Sequence, residues 1–237
     1  LVFEEAFRGD VDRVCFASSA CVYPQSLQSE PGSDYLLKED DADLFVEGKA
    51  FPDLEYGWAK FMAEMTLQAY HKQHGMKTSA VRIFSSYGPR ENESHAVVAL
   101  IAKAFIERDP FVIWSTGEQD RNFTHVQDIV DALMVASRTI SDGSTVNAGR
   151  DDRITLNQAA ELVFDIVGWR PKKLVHDVSK PMGVASRAAD LTKARALLCW
   201  EPKIGFREGF QQTIDWYYSE KDVVEVKKNL DHLLFEV

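Results

Sequence analysis

Tyr56 and Lys60 stand four residues apart in Tyr56-Gly57-Trp58-Ala59-Lys60. On a helix that step stacks two side chains on one face. A phenol with a pKa near ~10 is a poor base at neutral pH, and a neighbouring ammonium favours the phenolate. A tyrosine tuned in this way can take a proton from an alcohol while hydride leaves the carbon. Alone the spacing is weak evidence, since it arises by chance in roughly a third of chains and suits a solvated helix face equally well. Ser18-Ser19-Ala20 adds context, because it follows the apolar run from Val11 to Ala17, which reads as a buried strand. In open parallel sheets ligands sit beyond the carboxyl ends of strands. A serine there can hydrogen-bond the same reacting hydroxyl, or it can simply satisfy the backbone at the start of a loop.

These residues need elements to hold them. The chain opens in Leu1 to Phe7, which looks like the end of a helix, and Gly9-Asp10 closes it. Residues 18–52 are long, polar and punctuated by Pro24, Pro31-Gly32 and Pro52, the pattern of a functional or mobile loop. Phe61, Met65, Leu67 and Tyr70 predict a helix over 56–74 that Gly75 stops. Strands are expected at 78–84, 111–114, 145–147 and 174–176, and helices at 95–107, 127–138, 156–167, 190–198 and 206–219. Thr155 is positioned to cap the helix that follows it. Val223, Val226, Leu230, Leu233 and Val237 mark a final amphipathic helix, expected to pack on its own domain, the alternative being contact with a partner. Strands alternating with helices predict an α/β fold around a parallel sheet.

Strand, serine, long loop, Pro52-x-x-x-Tyr56-Gly57-x-x-Lys60 and strand occur in that order. At this point the chain resembles the extended short-chain dehydrogenase/reductase family, in particular its nucleotide-sugar epimerases, dehydratases and reductases. The resemblance runs from about residue 1 to about residue 219. It also rests on Arg82-Ile83-Phe84-Ser85-Ser86-Tyr87-Gly88-Pro89, Arg121-Asn122-Phe123-Thr124-His125-Val126-Gln127-Asp128, Val146-Asn147-Ala148-Gly149 and Leu198-Cys199-Trp200-Glu201-Pro202. In the last of these, Cys199 stands where the family usually has glycine. The resemblance implies that Tyr56 is the catalytic acid/base, that Lys60 holds the nicotinamide ribose, and that Ser19 orients the substrate hydroxyl. It also places Phe84 at the cofactor.

Cys21-Val22-Tyr23-Pro24 looks like the corresponding run of GDP-mannose 3,5-epimerases and GDP-fucose synthases, where the cysteine moves protons at the sugar ring. Without that context a free cysteine is most often a small buried hydrophobe. Ser94-His95-Ala96-Val97-Val98-Ala99-Leu100 resembles the histidine segment of the GDP-fucose synthases. Cys21 and His95 are therefore a candidate acid/base pair, the alternative for His95 being a histidine exposed at a helix start. A ketone at C4 acidifies the protons on C3 and C5, and a thiol (pKa ~8.5) and an imidazole (~6.5) suit their transfer near neutral pH. By the same resemblance Arg121 and Arg187 are candidate diphosphate clamps, since guanidinium forks hold phosphates bidentately. The alternative for each is a surface salt bridge. Ser85 stands at the family's substrate-binding asparagine.

The family's G-x-x-G-x-x-G cofactor turn is missing from these 237 residues. The resemblance therefore implies a Rossmann-like parallel sheet lacking its N-terminal βαβ units, with a smaller mixed α/β substrate domain. Residues 1–89 and 121–150 are assigned to the dinucleotide-binding part, and 90–120 and 151–237 to the substrate part. The expected cofactor is NAD or NADP, the expected ligand a nucleotide-diphosphate sugar and the expected assembly a homodimer. The leading expectation is a 3,5-type epimerase or epimerase/reductase. A 4-epimerase and a non-catalytic nucleotide-sugar-binding fragment are the alternatives. A net charge of −10 opposes nucleic acid as a partner. No apolar run approaches the ~20 residues that span a bilayer. Three cysteines without a C-x-x-C pair suggest a reducing, cytoplasmic setting with no disulfide framework. His71 and His74 share a helix face, but two histidines without a third ligand do not predict a metal site.

Overall fold

A computed structural model describes residues 1–43, 45, 46, 49, 52 and 54–234. The chain opens on α1 (Val2–Arg8), runs through β1 (Arg13–Ser19) and leaves it by a 3-10 turn at Ala20–Val22. After the long connection come α2 (Leu54–His74), β2 (Lys77–Ile83), β3 (Ser86–Tyr87) and α3 (Ala96–Phe105). β4 (Phe111–Trp114), β5 (Asp120–Arg121) and β6 (Thr124–His125) lead to α4 (Val126–Thr139) and β7 (Asp142–Ala148). β8 (Ile154–Thr155), α5 (Leu156–Val167), β9 (Leu174–Asp177), β10 (Ser186–Arg187), α6 (Thr192–Leu198), α7 (Phe206–Glu220) and α8 (Val223–Leu233) follow.

The central sheet is parallel, in the order β1-β2-β7. Thr78 to Arg82 are buried without alternation, so both faces of β2 are covered, as parallel strands require. β1 begins at Arg13 rather than Val11. Val11 is exposed, and its backbone N–H caps the preceding turn at Ala6 O. The described termini follow local chemistry. Thr155 and Gln158 form a reciprocal capping box at the start of α5, and Gly168 closes that helix in the left-handed region. Gly75 does the same after α2.

The long connection after β1 is held to the sheet by a buried polar network. Arg82 on β2 donates from Nε and Nη2 to the Glu64 carboxylate of α2. Its Nη1 donates to Glu39 O at 2.7 Å and to Tyr23 Oη at 3.2 Å. Ser18 also donates to Glu64. Tyr23 donates to Asn147 Oδ1 at 2.6 Å, and Asn147 N donates to the Glu39 carboxylate at 2.7 Å. Arg82 and Glu64 are paired and hydrogen-bonded, the condition under which charges persist inside proteins, and the Glu39 carboxylate is held by a backbone N–H.

Two apolar cores flank the site. One gathers Val22, Tyr23, Phe61, Val81, Phe84, Ile129, Val146, Leu191, Leu198 and Trp200 around the sheet. The other gathers Val97, Ile101, Phe111, Phe123, Phe164, Phe210, Tyr217, Val226 and Leu230 around α3, α5, α7 and α8. Ala189, Leu191, Ala194, Leu198 and Trp200, grouped by sequence with the substrate part, thus pack in the sheet core. Asp128 ties α4 to the segment before α7 by accepting the Lys203 and Ile204 N–H groups, both at 3.0 Å. On α8, Val226 and Leu230 are buried as its spacing predicts, but Val223 is exposed and Leu233 only partly buried, and Val237 lies outside the described residues. His71 and His74 serve packing: His71 Nδ1 meets Met76 O at 3.1 Å and the His74 ring lies 4.4 Å from that of Phe7.

Cys199 caps α6 with φ 49° and ψ 36°, the left-handed region that disfavours a side chain. Cys199→Gly is expected to raise stability by up to ~1 kcal/mol, relief of the strained φ outweighing the extra chain entropy of glycine. A shift of the urea midpoint at constant slope would measure it.

Candidate active site

The site grows from the end of β1. Ser19 leaves the strand in extended conformation, and its Oγ accepts the Cys21 N–H at 3.1 Å. This is the backbone-satisfying role open to any loop-start serine. It leaves the hydroxyl proton free to donate elsewhere, and it fixes Ser19 and Cys21 to one another. α2 arrives against the same turn. A Cβ on Gly57 would stand 2.2 Å from Cys21 O and 3.0 Å from the Pro52 Cβ, so only glycine lets the first turn of α2 sit this close. Tyr56 is thereby delivered beside the β1 terminus with its ring more than half exposed. Lys60 donates to Ala17 O of β1 at 2.8 Å, and its Nζ lies 4.9 Å from the Phe16 ring centre and 5.5 Å from that of Tyr56. Ser19, Tyr56 and Lys60 therefore share one locale.

A cavity of about 520 Å³ opens on the other flank of the turn. Cys21, Ser85, His95, Arg121 and Arg187 all line it, whereas Ser19, Tyr56 and Lys60 do not. The two groups meet at Cys21. Phe84 belongs to neither. Its side chain is 2 % exposed, packed in the sheet core 5.9 Å from the Tyr23 ring and pressed against Gly149. That ring is committed to the core and is not available to a cofactor.

The two arginines are placed by strand register. β5 and β10 pair in parallel with Arg121 opposite Arg187, so both side chains leave the same face of the ladder. Arg187 donates to Gln28 Oε1 at 2.5 Å and, through Nη1, to Cys21 Sγ at 3.7 Å. Arg121 donates to its neighbouring carbonyl at Asp120 and to Met182 O. Asp120 is the hub of this corner. Its buried carboxylate accepts Ser186 Oγ at 2.7 Å and the Gly32 N–H at 3.1 Å, tying β10 and the long connection to β5.

His95 precedes α3 and lines the cavity without capping the helix. Its Nδ1 lies 2.7 Å from Glu91 Oε1, a bond that raises the imidazole pKa and outweighs the opposing effect of burial. Three cavity residues are not singled out by sequence reasoning. Glu91 is one. Lys103 is a second, concealed in the apolar α3 run. It donates to Val112 O at 2.9 Å, and burial pushes its pKa down to about 8. Trp114, at the end of β4, contributes an aromatic wall.

The sequence profile described as the NAD dependent epimerase/dehydratase family matches residues 1–149. A probable GDP-L-fucose synthase 1 from Oryza sativa subsp. japonica is 33% identical over 230 residues, which cover 93% of this chain and 66% of that protein. GDP-mannose 3,5-epimerase from Arabidopsis thaliana is 30% identical over 232 residues, covering 96% of this chain and 58% of that protein. In fold, the chain is similar to dTDP-glucose 4,6-dehydratase from Bacillus anthracis in complex with NAD. The TM-score is 0.79 at 21% identity, over 92% of this chain and 66% of that one. The chain spans about two thirds or less of the length of these relatives.

Proposed function

The chain belongs to the NAD dependent epimerase/dehydratase family, and on that premise we propose that it acts on a nucleotide-diphosphate sugar as a 3,5-type epimerase or epimerase/reductase. The observation that carries the reading is the meeting of Cys21 and His95 on one cavity with Arg121 and Arg187. The names of the two plant relatives favour a GDP-sugar.

In this reading the diphosphate lies across the paired guanidinium groups of β5 and β10, which supply planar donor forks. The sugar then reaches toward Cys21. Once C4 is a ketone, the protons on C3 and C5 are acidic, and Cys21 and His95 remove and return them from different parts of the wall. Ser19 donates its free hydroxyl proton to the C4 oxygen, and Tyr56 carries the proton that accompanies oxidation at C4. The exposed Tyr56 and the anchored Lys60, at the carboxyl end of a parallel strand, suit the nicotinamide ribose of NAD or NADP, and these two residues would hold it. When bound, that cofactor supplies hydride acceptance and return.

Arg121→Met and Arg187→Met are each expected to weaken nucleotide-sugar binding by about 10–100-fold, the size of a lost charge-assisted hydrogen bond. Isothermal titration reads this directly. Lys103 adds a third cation to the cavity. Its charged form favours the anion, so affinity is expected to fall by up to about tenfold as pH rises from 7 to 9 through its pKa. Lys103→Met removes that dependence.

We also propose a homodimer built on α2, where Leu54, Trp58 and Met62 form an exposed apolar stripe at four-residue spacing. Among the described residues no helix is long and apolar enough to cross a membrane. Free Cys15, Cys21 and Cys199 suit a reducing compartment such as the cytoplasm. The functional reading is tested by incubating the protein, in a form that carries the family's N-terminal cofactor turn, with NAD and a GDP-hexose and resolving the product by NMR. Inversion at C3 or C5 supports it, and inversion at C4 alone replaces it with a 4-epimerase.

A further inference from the structure

Among the described residues, Glu91 is the one carboxylate on the wall of the cavity that Cys21 and His95 line. A cavity that presents Arg121, Arg187 and Lys103 suits an anion, and a carboxylate there opposes it. The placement of Glu91 therefore needs a reason. The loop between β3 and α3 is wound by backbone turns from Glu91 N to Gly88 O and from His95 N to Asn92 O. Two glutamates in it point different ways. Glu93 accepts Tyr217 Oη and the Lys221 ammonium, both at 2.9 Å, pinning the loop to the α7 end. Glu91 turns to His95.

From this geometry we infer that Glu91 is the positioning residue of His95, holding the ring through Nδ1 and leaving Nε2 as the atom that exchanges protons with substrate. The inference rests on the reading of His95 as an acid/base group. An ionised carboxylate only accepts hydrogen bonds, so Nδ1 carries a proton in the 2.7 Å contact, and the neutral ring is the Nδ1–H tautomer. The Glu91 side chain is 16% exposed and that of His95 62%. The carboxylate is thus largely withdrawn from water while the ring remains accessible. Glu91 Oε2 is buried with no further hydrogen-bond partner among the described residues, so the group is not shared with another protein donor. Burial and the N-terminal end of α3 disfavour an imidazolium, and Glu91 is the group that offsets them.

The test has two arms. In the first, 15N-labelled chain is titrated and the imidazole nitrogens are followed by NMR, with His95→Gln giving the assignment. The wild-type ring is expected in the Nδ1–H tautomer, and Glu91→Gln is expected to lower its midpoint and mix the tautomers. Glu91→Asp, which keeps the charge, restores part of the midpoint and also serves if Glu91→Gln is poorly folded. An unchanged midpoint and tautomer in a folded Glu91→Gln chain overturns the inference. In the second arm the cofactor-loaded enzyme is assayed. Glu91→Gln is expected to lower kcat about 10–100-fold with KM unchanged, as loss of an orienting partner does. A KM rise with constant kcat contradicts it. His95→Asn separates the two claims: full activity there refutes the acid/base reading, whatever the NMR shows for Glu91.

Discussion

Cys21→Ser is expected to slow exchange of the sugar's C3 or C5 proton by about 10²–10⁴-fold, the usual contribution of a placed acid/base group. An aliphatic hydroxyl is a far weaker acid than a thiol, so its alkoxide is out of reach at neutral pH and it cannot replace the thiolate as the base at a ring carbon. Binding is expected to change little. Cys21 meets the arginine clamp through a single 3.7 Å contact from Arg187 to its sulfur, while Arg187 keeps its 2.5 Å bond to Gln28. The fold is also expected to survive, because the turn is held by the Cys21 backbone, which bonds Ser19 Oγ and abuts Gly57. A kcat loss at constant affinity is the signature. Turnover that persists in Cys21→Ser would instead favour a 4-epimerase, which needs no such pair.

The second large effect is on stability. Glu64→Ala is expected to destabilise the chain by about 3–5 kcal/mol, since it strands a buried guanidinium. Arg82 is 3 % exposed and Glu64 1 %, so water cannot replace the lost partner. That loss is a large share of the about 5–15 kcal/mol by which domains are stable. Denaturant unfolding measures it. Glu64→Leu combined with Arg82→Met is expected to recover part of the loss, because an apolar pair removes the charge that the single variant leaves behind. It does not recover all of it, as Ser18 Oγ, Tyr23 Oη and Glu39 O lose partners too. The effect reaches the site, because Ser18 immediately precedes Ser19.

Elements with local signals were legible in the sequence. α5 carries its own capping box in Thr155 and Gln158, and α2 ends at Gly75 because that residue takes a left-handed backbone. β1 and β2 announce themselves by short apolar stretches, whereas β7, Asp-Gly-Ser-Thr-Val-Asn-Ala, shows only its middle residues 145–147. The two-residue strands β5 and β10 do not, because two residues have no periodicity to read. Hence the register that sets Arg121 beside Arg187, 66 residues apart, could be expected only as two separate arginines. The network that ties Glu39 to Asn147 across 108 residues is equally silent in the sequence. Glu91 carries no signal of its own in the sequence, because an acid four residues before a histidine suits a solvated surface equally well. Phe84 shows the reverse error. Its position beside the site was legible, but only the structure tells that its ring turns into the core.

The central claim is that Cys21 and His95 move protons on ring carbons of a nucleotide sugar. The most direct measurement is to run the cofactor-loaded enzyme on a GDP-hexose in deuterium oxide and to locate deuterium in the sugar by NMR. The account predicts deuterium at C3 or C5, absent in Cys21→Ser and in His95→Asn. A product altered at C4 with no deuterium at either carbon would contradict it.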